Sequence, residues 1–180
     1  MKLWVAISEA IAGWIKIVRG DPDWRQHFVF TAPGLVTALL VFALAAFLGV
    51  ALASLNIGFP SLPGALAAML VLALPLLAFV ISILGTRALL RSPQPLLPLL
   101  VPGTYALTAF LLIEGLLAMF GGPLVMLAWL AIAYLLFRLI RAATDWPVVI
   151  AACCAVLSVV LLVGLRLALY MLSSSAGIAP

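Results

Sequence analysis

Charged side chains are scarce in this sequence: Asp, Glu, Lys and Arg together make up 8% of its 180 residues. In soluble globular domains these four residue types make up about 25%. Hydrophobic residues account for 68% of the chain, and its mean hydropathy is +1.40. The composition therefore excludes a water-soluble domain and indicates an integral membrane protein.

Residues that bind metals or act as nucleophiles are also few. The chain has one histidine, His27, and two cysteines, Cys153 and Cys154. Adjacent cysteines bridge each other only with severe strain, so they predict packing residues rather than a disulfide. A lone histidine lacks the companion ligands that a metal site needs. A nucleophilic side chain in this sequence would lack the base partner that activates it. We therefore expect no cofactor, no metal and no enzymatic activity, and we place His27 at the membrane interface.

Long apolar runs make up most of the chain. A helix rises 1.5 Å per residue, so it needs about 20 apolar residues to cross roughly 30 Å of hydrocarbon. Five runs approach or exceed this length, and they cover residues 28–55, 63–85, 96–120, 124–140 and 147–172. The predicted fold is all-α, with a five-helix transmembrane domain over 28–172 and a short tail at 173–180.

Basic residues are distributed unevenly among the loops, and in short loops they mark the cytoplasmic side because they resist translocation. They precede the first run, separate the second from the third, or close the fourth. These residues are Lys2, Lys16, Arg19, Arg25, Arg87, Arg91, Arg138 and Arg141. The pattern predicts a cytoplasmic N-terminus and a C-terminus outside. The Ala- and Leu-rich composition and the short loops favour a bacterial, inner (cytoplasmic) membrane protein.

The segment before the first span has the pattern of an amphipathic helix. One side carries Lys2, Ser8, Glu9, Ala12, Lys16 and Arg19, and the other carries Leu3, Trp4, Ile7, Ile11, Trp14, Ile15 and Val18. Such a helix is suited to the membrane interface, with packing on another protein as the alternative. Because Pro22 cannot donate a backbone hydrogen bond, the step Asp21-Pro22-Asp23 ends the helix. Residues 1–27 are therefore predicted to be an interfacial segment on the cytoplasmic side.

Two charged residues fall inside the apolar runs, where an unpaired charge is costly. Glu114 and Arg166 each lie about six residues before the outer end of a span, and both spans cross in the same direction. We therefore expect an intramembrane ion pair that joins the third span to the fifth, within reach of Tyr170. The pair is interpreted as a structural staple. The alternative is that Glu114 serves as a proton or substrate site, although it lacks a companion acid or histidine.

Arginines and tryptophans border the predicted spans. Helical spacing places Arg138 and Arg141 on one face of the fourth span, and Arg87 and Arg91 lie one turn apart near the same surface. These four are predicted to bind anionic lipid head groups, the alternative being that they only set orientation. The predicted interface anchors are Trp4, Trp14, Trp24 and Trp146.

Small residues recur along three spans, and in lipid they allow helices to approach closely. They are Ala38, Ala45, Gly49 and Ala53 in the first span, Gly64, Ala68 and Ala78 in the second, and Ala151, Ala155 and Ser158 in the fifth. These faces predict association with other membrane proteins. Pro75 predicts a kink in the second span.

The order of several motifs resembles the membrane domain of the Yip family. An amphipathic lead with a Trp and an Asp-Pro step comes first, and five spans follow it. The matching positions are Trp14-Ile15, Asp21-Pro22, Tyr105, Gly121-Gly122-Pro123, Tyr134-Leu135-Leu136 and the turn from Asp145 to Pro147. The resemblance covers most of the chain. It implies a non-enzymatic protein that associates with other membrane proteins in membrane organisation or trafficking.

Two hypotheses for the function follow. In the first, the protein is an accessory or scaffold subunit that docks on a larger membrane complex or on itself, with membrane lipids as further partners and no nucleic acid. In the second, an oligomer transports a small solute or lipid along a path lined by Glu114, Arg166, Tyr105 and the kink at Pro75.

Overall fold

The computed structural model describes residues 2–58, 61–120 and 122–175, and the regular structure in these ranges is entirely helical. The elements are α1 (Lys2–Arg19), a 3₁₀ helix (Pro22–His27), α2 (Ala32–Ile57), α3 (Leu62–Leu90), α4 (Leu97–Ala118), α5 (Gly122–Ala143) and α6 (Val148–Ser175). In the described ranges five helices, α2 to α6, are long and apolar enough to cross a membrane. The predicted all-α, polytopic fold is confirmed. Residues 176–180 of the tail and loop residues 59, 60 and 121 lie outside the described residues.

The end of α1 is encoded in the residues that follow it. Gly20 has a φ of +82°, and its backbone N–H donates to the carbonyl of Ile17 at 3.1 Å, while Asp21 N–H donates to that of Lys16 at 3.0 Å. This is a Schellman motif. It favours glycine at position 20, because the residue after the helix takes a left-handed conformation. The Asp21 carboxylate then accepts the N–H of Asp23 at 2.9 Å and begins the 3₁₀ helix.

All five spans depart by a few residues from their predicted ranges, and α5, for example, runs from Gly122 to Ala143 where 124–140 was predicted. The physical reason is visible at the start of α2 and at the end of α3. α2 begins at Ala32 instead of 28, because the hydroxyl of Thr31 accepts the N–H of Gly34 at 3.3 Å and caps the helix there. α3 continues five residues past 85 to Leu90, since these residues include the strong helix formers Arg, Ala and Leu. It ends before Ser92-Pro93, where the residue preceding proline avoids helical angles.

The five spans form a bundle in which α4 is the most enclosed helix. α4 packs extensively on α2 and α5, α6 packs on α3 and α5, and α3 also contacts α2 and α4. In the apolar stretch of α4 that could cross a membrane, 61% is buried inside the protein. The corresponding share in the other four spans is 28% to 33%. α4 is therefore internal, and the other spans present wide apolar faces to their surroundings.

Several small residues that were predicted to bind other proteins instead pack inside the bundle. Ala38, Ala78, Ala151 and Ala155 are at most 1% exposed. Because helices in lipid gain no hydrophobic free energy from meeting one another, close contact through such residues is what holds them together. The prediction was wrong for these four positions and for Ala45 and Ser158, which are also buried, since a small residue admits a neighbouring helix equally well from its own chain.

One close approach within the bundle depends on glycine. Gly103 of α4 faces the ring of Phe79 of α3, which is fully buried, and a Cβ atom at 103 would overlap that ring. The contact therefore requires the absence of a side chain at this position.

We predict that Gly103→Ala lowers the free energy of unfolding by about 1–3 kcal/mol, the usual cost of overpacking. Thermal unfolding of the purified protein in detergent measures the effect. Gly115→Ala in the same helix is the matched control, since nothing lies within 4 Å of a Cβ built there. Equal losses in the two variants would contradict the prediction.

Candidate functional site

Glu114 of α4 and Arg166 of α6 form the predicted ion pair. Nη2 of Arg166 donates to Oε2 of Glu114 at 2.8 Å, and Nη1 donates to Oε1, so the contact is bidentate. The Glu114 side chain is 12% exposed and that of Arg166 is 24% exposed. The prediction of this pair from the depth of the two residues is confirmed.

A third side chain, which sequence reasoning did not assign to the site, completes it. The indole Nε1 of Trp129 on α5 donates to Oε1 of Glu114 at 2.8 Å. α4 and α6 each pack extensively on α5, so the three residues form a triad that joins three neighbouring helices. The available signal was that an indole N–H within a span needs an acceptor, and Glu114 supplies one.

The triad has the geometry of a structural contact. Both carboxylate oxygens of Glu114 accept hydrogen bonds from the guanidinium of Arg166, a group that stays charged in proteins. For Glu114 to exchange a proton, these bonds would have to break. The arrangement therefore favours the staple over a proton or substrate site. Tyr170, one turn beyond Arg166, has a 63% exposed side chain.

Hydroxyl groups within the spans bond to their own helices. Thr104, Thr108, Ser82 and Ser158 each donate to the carbonyl four residues earlier, at 2.8 to 2.9 Å. A hydroxyl bonded in this way has its donor satisfied locally. These four side chains therefore do not direct their hydroxyl hydrogens into the space between helices.

The residues of the predicted transport path are spread through the bundle. Tyr105 and Glu114 are nine positions apart on α4, which corresponds to about 13 Å along the helix axis. Tyr105 contacts Phe28 with a ring separation of 6.2 Å and lines a large groove whose walls do not include Glu114, Arg166 or Pro75. The geometry does not bring the four features together along one path.

The four predicted lipid-binding arginines lie where the α3–α4 and α5–α6 connections meet, and we call this end of the bundle the basic end. Three of them donate to backbone carbonyls: Arg87 to Ser92 at 3.1 Å, Arg141 to Trp146 at 3.0 Å and Arg138 to Ile17 at 3.1 Å. Arg91 is exposed and left-handed, with a φ of 49°. Arg87, Arg138 and Arg141 thus connect chain segments. The binding of lipid head groups by the four arginines stays a prediction.

The tryptophans predicted as interface anchors have different environments. Trp24 and Trp146 are 3% and 6% exposed, so the prediction that they anchor in the interface was wrong. Trp24 packs edge-on against Phe28 and Phe30, and Trp146 donates its indole N–H to Ser92 Oγ at 3.3 Å. Both are buried because loop residues supply the contacts that lipid head groups would otherwise supply.

The other two tryptophans belong to α1. Trp4 is 76% exposed, which is compatible with an interfacial position. Trp14 is partly buried, and its Nε1 donates to the carbonyl of Pro102 on α4 at 3.0 Å. Trp14 therefore attaches α1 to the basic end of the bundle.

A narrow ridge of α1 faces the protein. Ala10, Gly13 and Ile17 are buried, and Nδ1 of His27 lies 2.6 Å from the carboxylate of Glu9. The apolar residues Ile11 and Ile15 remain exposed. α1 thus packs on its own bundle and retains an open apolar face, as an interfacial helix requires.

The chain was compared with protein-family models, with curated proteins and with solved structures, and none of the three comparisons gave a match. The resemblance to the Yip family stays a prediction.

We predict that Glu114→Ala and Arg166→Ala each destabilise the fold by about 3–5 kcal/mol, since each leaves one charge buried without its partner. The double variant should be no less stable than either single one. Unfolding in detergent, analysed as a double-mutant cycle, measures the coupling. Additive losses would contradict an energetic coupling between the two residues.

Proposed function

We propose that the protein is a non-catalytic accessory or scaffold subunit, which binds a transmembrane helix of a larger membrane protein through the outer face of α6. The observation that carries the proposal is a small-residue gap in this face. Gly164 and Ala168 are both exposed, and nothing lies within 4 Å of a Cβ built at Gly164. Small residues four positions apart let a second helix approach closely.

The ion pair supports this proposal because it sets the rotation of α6. Arg166 lies midway between Gly164 and Ala168 and points inward to Glu114. Successive helix residues are about 100° apart, so residues two positions before and after Arg166 point away from the bundle. The staple therefore holds the gap on the outer side, flanked by the exposed residues Val160 and Leu167.

Further support comes from the sequence patterns. The resemblance to the Yip family implies a protein that works by association with other membrane proteins. The Ala- and Leu-rich composition and the short loops favour the inner membrane, and the distribution of basic residues favours an N-terminus in the cytoplasm and a C-terminus outside.

The subunit proposal predicts co-purification of a second membrane protein in a fixed molar ratio after mild detergent extraction. Gly164→Leu should fill the gap and abolish the co-purification, while the variant elutes as a folded protein. Gly85→Leu on α3 is the matched control, because Gly85 is also exposed with nothing within 4 Å of its Cβ position.

A photoreactive residue at Val160 should crosslink to the same second protein. Recovery of the protein as a homo-oligomer alone would overturn the subunit proposal. It would favour the alternative, a transporter or channel for a small solute or lipid, and uptake into liposomes would then test that role.

The topology proposal has its own test. A fluorescent protein that matures only in the cytoplasm should be bright when fused before residue 1 and dark when fused after residue 180. A phosphatase that is active only outside the cytoplasm should give the reverse pattern. Equal signals from both ends with either reporter would contradict an odd number of crossings.

A further inference from the structure

A large groove lies beside α1 at the basic end of the bundle. Its cavity has a volume of about 650 Å³, and its walls come from α1, α2 and α4 with one residue of α5. Side chains such as Ile11, Leu44, Leu48 and Leu112 make the lining almost wholly apolar. This volume is within the range of small-molecule sites.

The groove extends from the basic end toward the middle of the spans. Both α2 and α4 begin at the basic end, and their lining residues run from Val41 to Leu48 and from Tyr105 to Leu112. Seven residues correspond to about 10 Å of helix. The groove is therefore elongated along the bundle and lies at a depth where a bilayer supplies acyl chains.

Positive charge stands at the end of this apolar groove. Arg19, the last residue of α1, is its one charged lining residue. Lys16 is one turn earlier on the same side of α1. A guanidinium nitrogen of Arg138 lies 3.2 Å from the Cβ position of Gly20, directly after Arg19. The acid nearest in sequence, Asp21, already accepts a hydrogen bond from Asp23.

We propose that the groove is a binding site for one anionic phospholipid. An acyl chain occupies the apolar part between α2 and α4, and the phosphate lies beside Arg19 and Lys16. This arrangement matches an apolar cavity whose charged lining is confined to one end. It does not depend on which protein the outer face of α6 binds.

A lipid fits this site better than a transmembrane helix. α1 forms the wall of the groove at the basic end, where Trp14 is bonded to Pro102 and Arg138 to Ile17. A spanning helix laid along α2 and α4 would have to pass through the position of α1. A lipid ends at that level, because its head group belongs at the interface where α1 lies.

Native mass spectrometry of the protein taken from nanodiscs containing phosphatidylglycerol and phosphatidylcholine tests the proposal. The wild-type protein should retain one phosphatidylglycerol in preference to phosphatidylcholine. Ala109→Trp, which fills the groove from α4, should abolish the retention of both lipids. Arg19→Gln should weaken phosphatidylglycerol binding about fivefold, which corresponds to ~1 kcal/mol for one interfacial cation.

Two matched controls separate these effects from general changes. Ala67→Trp on α3 and Arg25→Gln on the 3₁₀ helix alter exposed residues that do not line the groove, and both variants should retain the lipid as the wild type does. Equal retention of the two lipids by the wild-type protein would overturn the anionic preference without requiring any variant. Unchanged retention in folded Ala109→Trp would overturn the groove as the site. If Ala109→Trp does not fold, Leu112→Trp fills the groove from the same helix. Loss of both lipids would then support the groove as the site, and unchanged retention would overturn it.

Discussion

Hydrocarbon offers no hydrogen-bond partners, so a polar group within a span is stabilised by a partner inside the protein. Among the described side chains of the spans, the buried Nε of Arg166 is an exception. Glu114 accepts bonds from Arg166 and Trp129, and the span hydroxyls bond back to their own helices. A charged residue inside a span therefore needs a partner from another helix, and the contact joins the two helices. Glu114 belongs to the innermost helix, α4, and Trp129 and Arg166 belong to the helices that follow it along the chain.

The same constraint acts differently at the basic end, where loops bring free backbone carbonyls. Three arginines and Trp14 donate to carbonyls of Ser92, Trp146, Ile17 and Pro102. Each bond fixes a connection, or α1, to a helix end. Positive charges that are predicted to set orientation during insertion thus also organise the connections of the folded chain. The two roles are compatible, because a guanidinium has five N–H donors and each of these three arginines directs one of them to a backbone carbonyl.

The helices and the ion pair could be predicted from the sequence. The length of an apolar run and the distance of a residue from the end of a span can both be counted along the chain. The depth of Glu114 and Arg166 follows from counting residues from the span ends. The rotation of each helix does not follow from such a count when both faces are apolar. For this reason Ala38 and Ala155 could not be assigned to the inside of the bundle in advance, and Trp129 could not be assigned to Glu114.

The burial of Trp24 and Trp146 shows a further limit of sequence reasoning. An indole near the end of a span satisfies its N–H equally well with a lipid head group or with a loop. Which one it contacts depends on loop conformation, here the approach of Ser92 to Trp146, and on the aromatic contacts of Trp24 with Phe28 and Phe30. Neither contact is visible from composition or periodicity.

α1 shows how these local contacts shape the surface of the whole protein. It is held by the buried ridge of Ala10, Gly13 and Ile17 and by two polar contacts, Trp14 to Pro102 and Glu9 to His27. Its large apolar residues Ile11 and Ile15 are left exposed. If α1 were held by these large residues, they would fill the space beside α2 and α4. Because the ridge and the polar contacts hold α1 at its edge instead, the groove beneath it stays open, and Ile11 and Ile15 line it.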